Sequence, residues 1–383
     1  LQGDWSSDVC SSDLIIYDCL RCLEEKYEGD DNIFEQLLIQ AVCNKIDEYI
    51  AIIKPTNRVF IAFDGVAPVA KLEQQRNRRY KSYLLDMLKN RFEKQQNKWD
   101  KTAITPGTNF MSNLAEYTTN YYRNKEKHYN IKQFIVSTSD IPGEGEHKIF
   151  NFIRNNKTKH SKEVTMIYGL DADLIMLALN HLPISKQIYL YRETPEFIKS
   201  LNKELEPGES YFLNIPKLAQ AIRYDMTGKS VISKHQESNR LYDYIFICFF
   251  LGNDFLPHFP SLNIRTGGIH IILSAYKNLF CKSNNNLTNG KIIYWHNVKK
   301  LVKYLADMEH QNLVNEYNLR SKWERRNYPS NTLKEKMIKL DNIPTKQRDI
   351  EKYINPFTSG WENRYYESLF GIDINKYWKK KIC

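Results

Sequence analysis

The stretch that decides the fold is VTMIYGLDADLIMLALN, residues 164–180. Its first five residues are apolar or β-branched and predict a buried strand. A glycine and the carboxylates of Asp171 and Asp173 follow, and the apolar run after them predicts a helix. A strand, an acid and a helix in this order are typical of an α/β protein with a parallel sheet flanked by helices.

The same order occurs at two earlier places in the chain. RVFIAFDGVAP (58–68) ends a strand at an aspartate, and a strand over 134–137 leads into SDIPGEGEHKI (139–149) with two glutamates. A further acid follows the aromatic run of FICFFLGNDFLPH (246–258). The six acids in these four patterns are Asp64, Glu144, Glu146, Asp171, Asp173 and Asp254.

These acids predict a metal site. Because ligands bind at the carboxyl ends of parallel strands, we expect the acids of the three strand units to converge. Converging carboxylates repel one another unless cations neutralise them, and oxygen ligands favour Mg²⁺ or Mn²⁺. Two such ions about 4 Å apart would clamp a phosphodiester. The alternatives are solvated turns for the set and a helix cap for Asp254. We interpret His147 and His258 as structural rather than as ligands.

The charge of the chain points to an anionic partner. The 383 residues carry a net charge of +10, and the pI is about 9.0. Nucleic acid is the commonest such partner, although a merely basic soluble protein is the alternative. No apolar run approaches the roughly 18–20 residues that a membrane span needs. Seven cysteines predict reduced thiols inside a cell, without a zinc site.

The basic stretch AKLEQQRNRRYKS (70–82) predicts a phosphate pocket close to Asp64. On a helix, four of its side chains share one face and can wrap a terminal phosphate. These four are Lys71, Gln75, Arg78 and Arg79. The alternative is a solvated basic face. Tyr17, Tyr80 and Trp361 are candidates for stacking on bases, with core packing as the alternative for each.

Six motifs together resemble the Xrn-type 5′→3′ exoribonucleases. They are FDGVAPVAKLEQQRNRRYKS, ITPGTNFM, SDIPGEGEHKI, GLDADLIML, CFFLGNDFLPH and SGWENRYYE. The resemblance implies a PIN/FEN-like fold and processive degradation of single-stranded RNA with a 5′-monophosphate, by hydrolysis with two Mg²⁺ ions. It implies that the six acids are catalytic metal ligands and that the four residues of the basic helix hold the 5′-phosphate. Tyr17 stands where many members have a histidine that stacks on a base.

The chain departs from this family at its beginning. The family has a further metal-binding aspartate where Ser11 stands, and Asp13 lies two positions late. Residues 4–14, DWSSDVCSSDL, look like a translated sequencing adapter. We therefore predict that residues 1–14 are non-native and exclude them from the fold. We also expect that the family's later conserved region is missing after Cys383, and that activity is impaired.

The predicted organisation is a nuclease domain over 15–276 and the start of a helical region over 277–383. We expect a monomer that is intracellular, and cytoplasmic rather than nuclear. Two alternatives to the exoribonuclease stay open. One is a flap-endonuclease-like or PIN-like nuclease acting on DNA, and the other is a catalytically impaired RNA-binding module.

Overall fold

The computed structural model describes residues 5–9, 12–90, 98–169, 171–193, 203–206, 208–227, 234–253, 256–342 and 348–377. The chain divides into two compact units, 1–223 and 224–383. The domain boundaries drawn from the sequence, and the non-native origin of residues 1–14, stay predictions.

A six-stranded sheet forms the centre of the first unit. Its strands are β1 (Trp5–Val9), β2 (Arg58–Ala62), β3 (Gln133–Ser137), β4 (Val164–Tyr168), β5 (Gln187–Glu193) and β6 (Ser210–Asn214). Their order is β3-β2-β1-β4-β5-β6. The first five strands are parallel, and β6 pairs antiparallel to β5. The predicted α/β class with a mostly parallel sheet is thereby confirmed.

The order of the strands reverses beside β1. From β1 the chain proceeds outward through β2 and β3, and then returns to pair β4 against the other side of β1. Such a reversal opens a crevice at the carboxyl ends of the central strands, where ligands bind in this class of sheet. The central strand belongs to the segment that the sequence analysis excluded from the fold.

Helices cover both faces of the sheet. The helices that begin in the first unit are α1 (Ser12–Leu23), α2 (Asp31–Ile53), α3 (Val69–Asn90), α4 (Asn109–Tyr122), α5 (Gly145–Asn155), α6 (Lys157–His160), α7 (Ala172–His181) and α8 (Ile215–Thr227), which crosses the unit boundary. The buried cluster on one face joins α1, α2 and α4 to Val59, Ile61 and Met166. On the other face, Phe60 of β2 contacts Phe152 of α5 with ring centroids 4.9 Å apart.

The helical spacing that runs over residues 15–53 is interrupted in the structure. α1 ends at Leu23, and α2 begins after Asp30, whose side chain accepts hydrogen bonds from the backbone N–H groups of Asn32 and Ile33. Gly29 precedes this cap with φ of 96°. The break turns α1 back against α2, so that both cover the same face of the sheet.

The second unit is helical. Its further helices are α9 (Lys234–Cys248), α10 (Gly268–Phe280), α11 (Trp295–Glu324), α12 (Leu333–Asp341), α13 (Asp349–Ile354), α14 (Trp361–Phe370) and α15 (Ile374–Tyr377). Buried Asp243 accepts hydrogen bonds from Tyr276 Oη and from the backbone N–H groups of Leu287 and Thr288, both at 2.8 Å. None of the helices in the described residues is long and apolar enough to cross a membrane.

Candidate active site

The loops after β2 and β3 are joined by their backbones. Phe63 N donates to Ser137 O at 2.9 Å, and Gly65 N donates to Gly143 O at 2.9 Å. Asp64, which lies between these two contacts, accepts a hydrogen bond from Gly145 N at 2.6 Å. The first predicted acid is therefore fixed against the amino end of α5, where backbone N–H groups and the helix dipole favour a negative charge.

Gly145 permits this close approach. A Cβ atom there would lie 2.9 Å from Ala62 O and 3.1 Å from Asp64 Oδ1. Any larger residue would push α5 away from the end of β2. The glycine between the two glutamates of the GEGE segment is thus required by packing.

Glu144 and Glu146 lie on either side of this glycine, at the first turn of α5. One carboxylate oxygen of each and a ring nitrogen of His147 lie within 4.8 Å of one another. Burial raises the pKa of Glu146 to about 8, and the charges of Asp171, Asp173 and Glu144 add to the shift. These charges place Asp171 and Asp173 near Glu146, so that acids after β2, β3 and β4 share one site.

Asp171 and Asp173 follow β4 and flank the start of α7. Asp171 is the N-cap of the helix, because its Oδ1 accepts a hydrogen bond from Leu174 N at 2.8 Å. Both side chains are exposed, in contrast to the partly buried Glu144 and Glu146. Asp254, the sixth predicted ligand, lies outside the described residues.

Two lysines oppose the acids. Lys71 Nζ lies 2.7 Å from Glu144 Oε2, with both side chains largely buried. Lys148 is 8% exposed, and its Nζ donates to Phe63 O at 2.7 Å and to Thr138 O at 2.8 Å. The pKa of Asp64 is raised overall, mainly by burial and further by the charge of Glu144. The hydrogen bond from Gly145 N–H and the charges of Lys148 and Lys71 oppose this shift without cancelling it.

The site fits divalent cations by its own chemistry. Five carboxylates face two ammonium groups, and burial together with the charges of the neighbouring acids raises the pKa of Glu146 enough to favour its protonated form near neutral pH. Carboxylate oxygens gathered in this way are the ligands that Mg²⁺ and Mn²⁺ prefer. Glu144, Glu146 and His147 are close enough together to share an ion. Asp64, Asp171 and Asp173, whose charges act on or respond to these glutamates, could complete the set of ligands.

The basic helix α3 lines an open cleft of about 820 Å³. Arg78 and Arg79 line it together with Tyr17 of α1, which is 42% exposed, and with Tyr83 and Lys101. Lys71 and Gln75 are not among its lining residues. Since Lys71 precedes Arg78 by seven residues, about 10 Å of helix separates the acid site from the arginines.

A hydrogen bond ties α1 to the strand end that carries the acids. Tyr168, the last residue of β4, donates from its hydroxyl to Asp18 Oδ2 at 3.2 Å, and Asp18 follows Tyr17 in the chain. The cleft is therefore connected to the acid site through α1 on one side and through α3 on the other.

Lys148 and His147 were not predicted as site residues. Lys148 follows the GEGEH segment in the sequence, but one lysine after a histidine carries no recognisable signal. Its role depends on the carbonyl groups of Phe63 and Thr138, which the folded sheet brings together. A ring nitrogen of His147 lies within reach of a ligand position shared with Glu144 and Glu146, and its interpretation as structural stays a prediction.

Comparison with known proteins gives consistent matches. The family model for the XRN 5′-3′ exonuclease N-terminus matches residues 12–194, and that for the Xrn1 helical domain matches residues 235–352. The 5′-3′ exoribonuclease 2 of Arabidopsis thaliana is 32% identical in an alignment 329 residues long, which covers 72% of this chain and 32% of that protein. The 5′-3′ exoribonuclease 1 of Schizosaccharomyces pombe is 33% identical in an alignment 295 residues long, which covers 72% of this chain and 22% of that protein. The chain thus spans about a third or less of the length of these relatives.

Proposed function

Because the chain belongs to the XRN 5′-3′ exonuclease family, we propose that it is part of a processive 5′→3′ exoribonuclease that acts on single-stranded RNA with a 5′-monophosphate. The observation that carries the proposal is the meeting of five carboxylates after three parallel strands, beside a helix that carries both Lys71, which contacts Glu144, and the arginines of the cleft. The fold that fits this arrangement is PIN/FEN-like.

Asp64, Glu144, Glu146, Asp171 and Asp173 would hold the metal ions, and Asp254 is proposed to complete the set. Bound Mg²⁺ would supply an activated water and neutralise the charge on the phosphodiester. The protein itself keeps Asp64 in place through Gly145 N–H and balances part of the negative charge with Lys148.

The cleft is proposed to receive the 5′ end of the RNA. The guanidinium groups of Arg78 and Arg79 suit the oxygens of a terminal phosphate, which a cap would obstruct. Tyr17 presents an exposed ring to the same cleft, where a base could stack on it. Lys71 and Gln75 stay in the proposed phosphate site, and Lys71 would exchange its contact with Glu144 for one with the phosphate when ions bind the acids.

The decisive experiment compares three single-stranded substrates of one sequence: RNA with a 5′-monophosphate, RNA with a 5′-hydroxyl, and DNA with a 5′-monophosphate. We expect mononucleotides from the first substrate only, in Mg²⁺ and not in EDTA. Equal cleavage of the DNA would favour the flap-endonuclease-like alternative. RNA binding without cleavage would favour the impaired binding module.

The arginine assignment has a matched control on the same helix. Arg78→Ala should abolish the preference for 5′-monophosphate over 5′-hydroxyl RNA, because it removes a guanidinium group from the cleft. Arg76→Ala removes the same charge from a residue that does not line the cleft, and it should keep the preference. Loss of the preference in both variants would show a general charge effect instead.

The proposal extends to a monomer that acts in the cytoplasm. Sedimentation analysis and the distribution of a tagged chain in cells would test these two points separately from the activity.

A further inference from the structure

The first turns of α11 in the second unit expose an aromatic ring among basic side chains. Trp295 is 68% exposed at the first position of the helix. His296, Lys299, Lys300 and Lys303 are also exposed. A single exposed ring is common on protein surfaces, but four exposed basic side chains surround this one.

These five side chains form one continuous face. At about 100° per residue, Trp295, Lys299 and Lys303 lie in succession along the helix, and His296 and Lys300 lie beside them. The opposite side of the same turns carries Val298 and Leu301, which are buried. The helix is therefore anchored by its apolar side, and the basic aromatic face is directed away from the core of its unit.

Residues 295–303, which carry this face, include basic side chains and no acidic one. The first acid of α11 is Asp307, one turn beyond Lys303. Within the part of the chain that the structure describes, the five side chains make no hydrogen bond, ion pair or ring contact. The first turn of α11 also has no acidic residue, so the positive end of the helix dipole adds to the charge of the lysines.

We infer that this face, consisting of Trp295, His296, Lys299, Lys300 and Lys303, binds single-stranded RNA without regard to sequence. Lysines spaced one turn apart can each contact a phosphate, and an exposed indole offers a surface on which any base can stack. The combination of stacking ring and cations suits a flexible polyanion with bases. The face lies in a different unit from the five described acids and contains none of the residues proposed to hold the 5′ end.

The test uses the whole chain and a 20-nucleotide single-stranded RNA with a 5′-hydroxyl, in EDTA. Under these conditions neither metal ions nor a terminal phosphate contribute, so the result is independent of the proposed nuclease activity. Fluorescence anisotropy gives the affinity over a series of salt concentrations. A 20-residue oligoglutamate serves as a second probe with negative charge and no bases.

We expect the triple variant Lys299→Ala/Lys300→Ala/Lys303→Ala to weaken RNA binding at least about tenfold at low salt. The slope of log K against log salt should become shallower by about 2, because each phosphate contact on a single strand contributes roughly 0.7. Trp295→Ala should weaken binding on the order of tenfold without changing the slope, and Trp295→Phe should restore most of the affinity.

A charge-matched control is available in the same unit. The variant Lys334→Ala/Lys336→Ala/Lys339→Ala removes three exposed lysines from α12, which also carries Glu335 and Asp341. It should leave both the affinity and the slope nearly unchanged. An equal loss in this control would overturn the inference, since net charge alone would explain it. Equal affinity for oligoglutamate, or no effect of Trp295→Ala, would overturn the assignment to RNA.

Discussion

Asp171 and Asp173 lie two residues apart but contribute to the site in different ways. Asp171 caps α7 through Leu174 N, so that its carboxylate stabilises the helix as well as the proposed metal site. Asp173 lies in the first turn of the same helix, and its charge raises the pKa of Glu146. The cap couples the position of Asp171 to the folding of α7.

Asparagine substitutions separate these two contributions. We expect Asp171→Asn and Asp173→Asn each to reduce RNA cleavage by at least about a hundredfold, because each removes a charge that a cation needs, while RNA binding in EDTA is retained. Asp171→Asn keeps an oxygen that can cap α7, but Asp171→Ala should cost about 1 kcal/mol of unfolding free energy in addition. Cleavage assays and thermal unfolding give the two readouts.

Glu116→Gln removes an exposed acid from α4 and serves as the control for both readouts. Unimpaired cleavage by Asp173→Asn would contradict the assignment of Asp173 as a ligand.

Because His160 is buried, we predict that the folded protein loses stability in acid. Its ring is fully buried, and burial together with the charge of Arg58 lowers its pKa to about 4, against a smaller opposing effect of Glu163. The unfolded chain binds this proton near pH 6.5 and the folded chain does not. The unfolding free energy should therefore fall by about 3 kcal/mol as the pH falls from 6.5 to 4, at 1.36 kcal/mol per pKa unit.

Urea unfolding over this pH range tests the prediction. His160→Leu should lower the stability at pH 7 but make its decline in acid shallower, whereas His128→Leu, at an exposed histidine, should keep the full decline. If the unfolding free energy falls equally steeply below pH 6.5 in the protein and in His160→Leu, the assignment of this loss to His160 is wrong.

The elements differ in how far the sequence specifies them. β2 (RVFIA) and β4 (VTMIY) are short and mostly apolar, an acid follows within three residues of each, and the sequence predicts both. The break between α1 and α2 was not predicted, although Gly29 and the cap at Asp30 mark it, because the apolar spacing continues on both sides. The antiparallel edge strand β6 was also not predicted. Its pairing depends on where the chain returns to the sheet.

The close packing of α5 against the end of β2 predicts that a substitution at Gly145 moves the helix. Gly145→Ala should displace the first turn of α5 together with Glu144, since its Cβ would meet Ala62 O at 2.9 Å. We expect a loss of about 1–3 kcal/mol of stability and at least tenfold weaker Mn²⁺ binding. Calorimetry with Mn²⁺ and thermal unfolding measure the two effects.

Gly107→Ala is the control for Gly145→Ala, because it strains the backbone without a steric clash of the added Cβ atom. Gly107 has φ of 93° and nothing within 4 Å of the added Cβ atom, so the substitution should reduce stability but leave Mn²⁺ binding unchanged. Normal Mn²⁺ binding by Gly145→Ala would show that the helix position does not control the acids.

The whole first unit depends on the strand at the centre of its sheet. β1 pairs with β2 on one side and with β4 on the other, so that both acid-bearing strands are held together through it. Its sequence, WSSDV, is unlike the mostly apolar sequences of β2 and β4, which are usual for parallel strands covered on both faces. The sequence could not reveal this role, because neither composition nor pattern marks the segment as a strand.

Replacement of WSSDV by the apolar sequence VILVL should therefore stabilise the first unit. We expect a gain of at least about 1 kcal/mol, or roughly 2–4 °C in the thermal midpoint for a unit of this size. The same five residues in the order SWDSV keep the composition and should give no gain.

Adding Ser11→Asp to the apolar strand should strengthen Mn²⁺ binding and raise cleavage, whereas Ser11→Asn should do neither. If the apolar strand gives no stability and the added aspartate gives no affinity, the segment 1–14 does not stand in place of a native strand and ligand, and the prediction of its non-native origin fails.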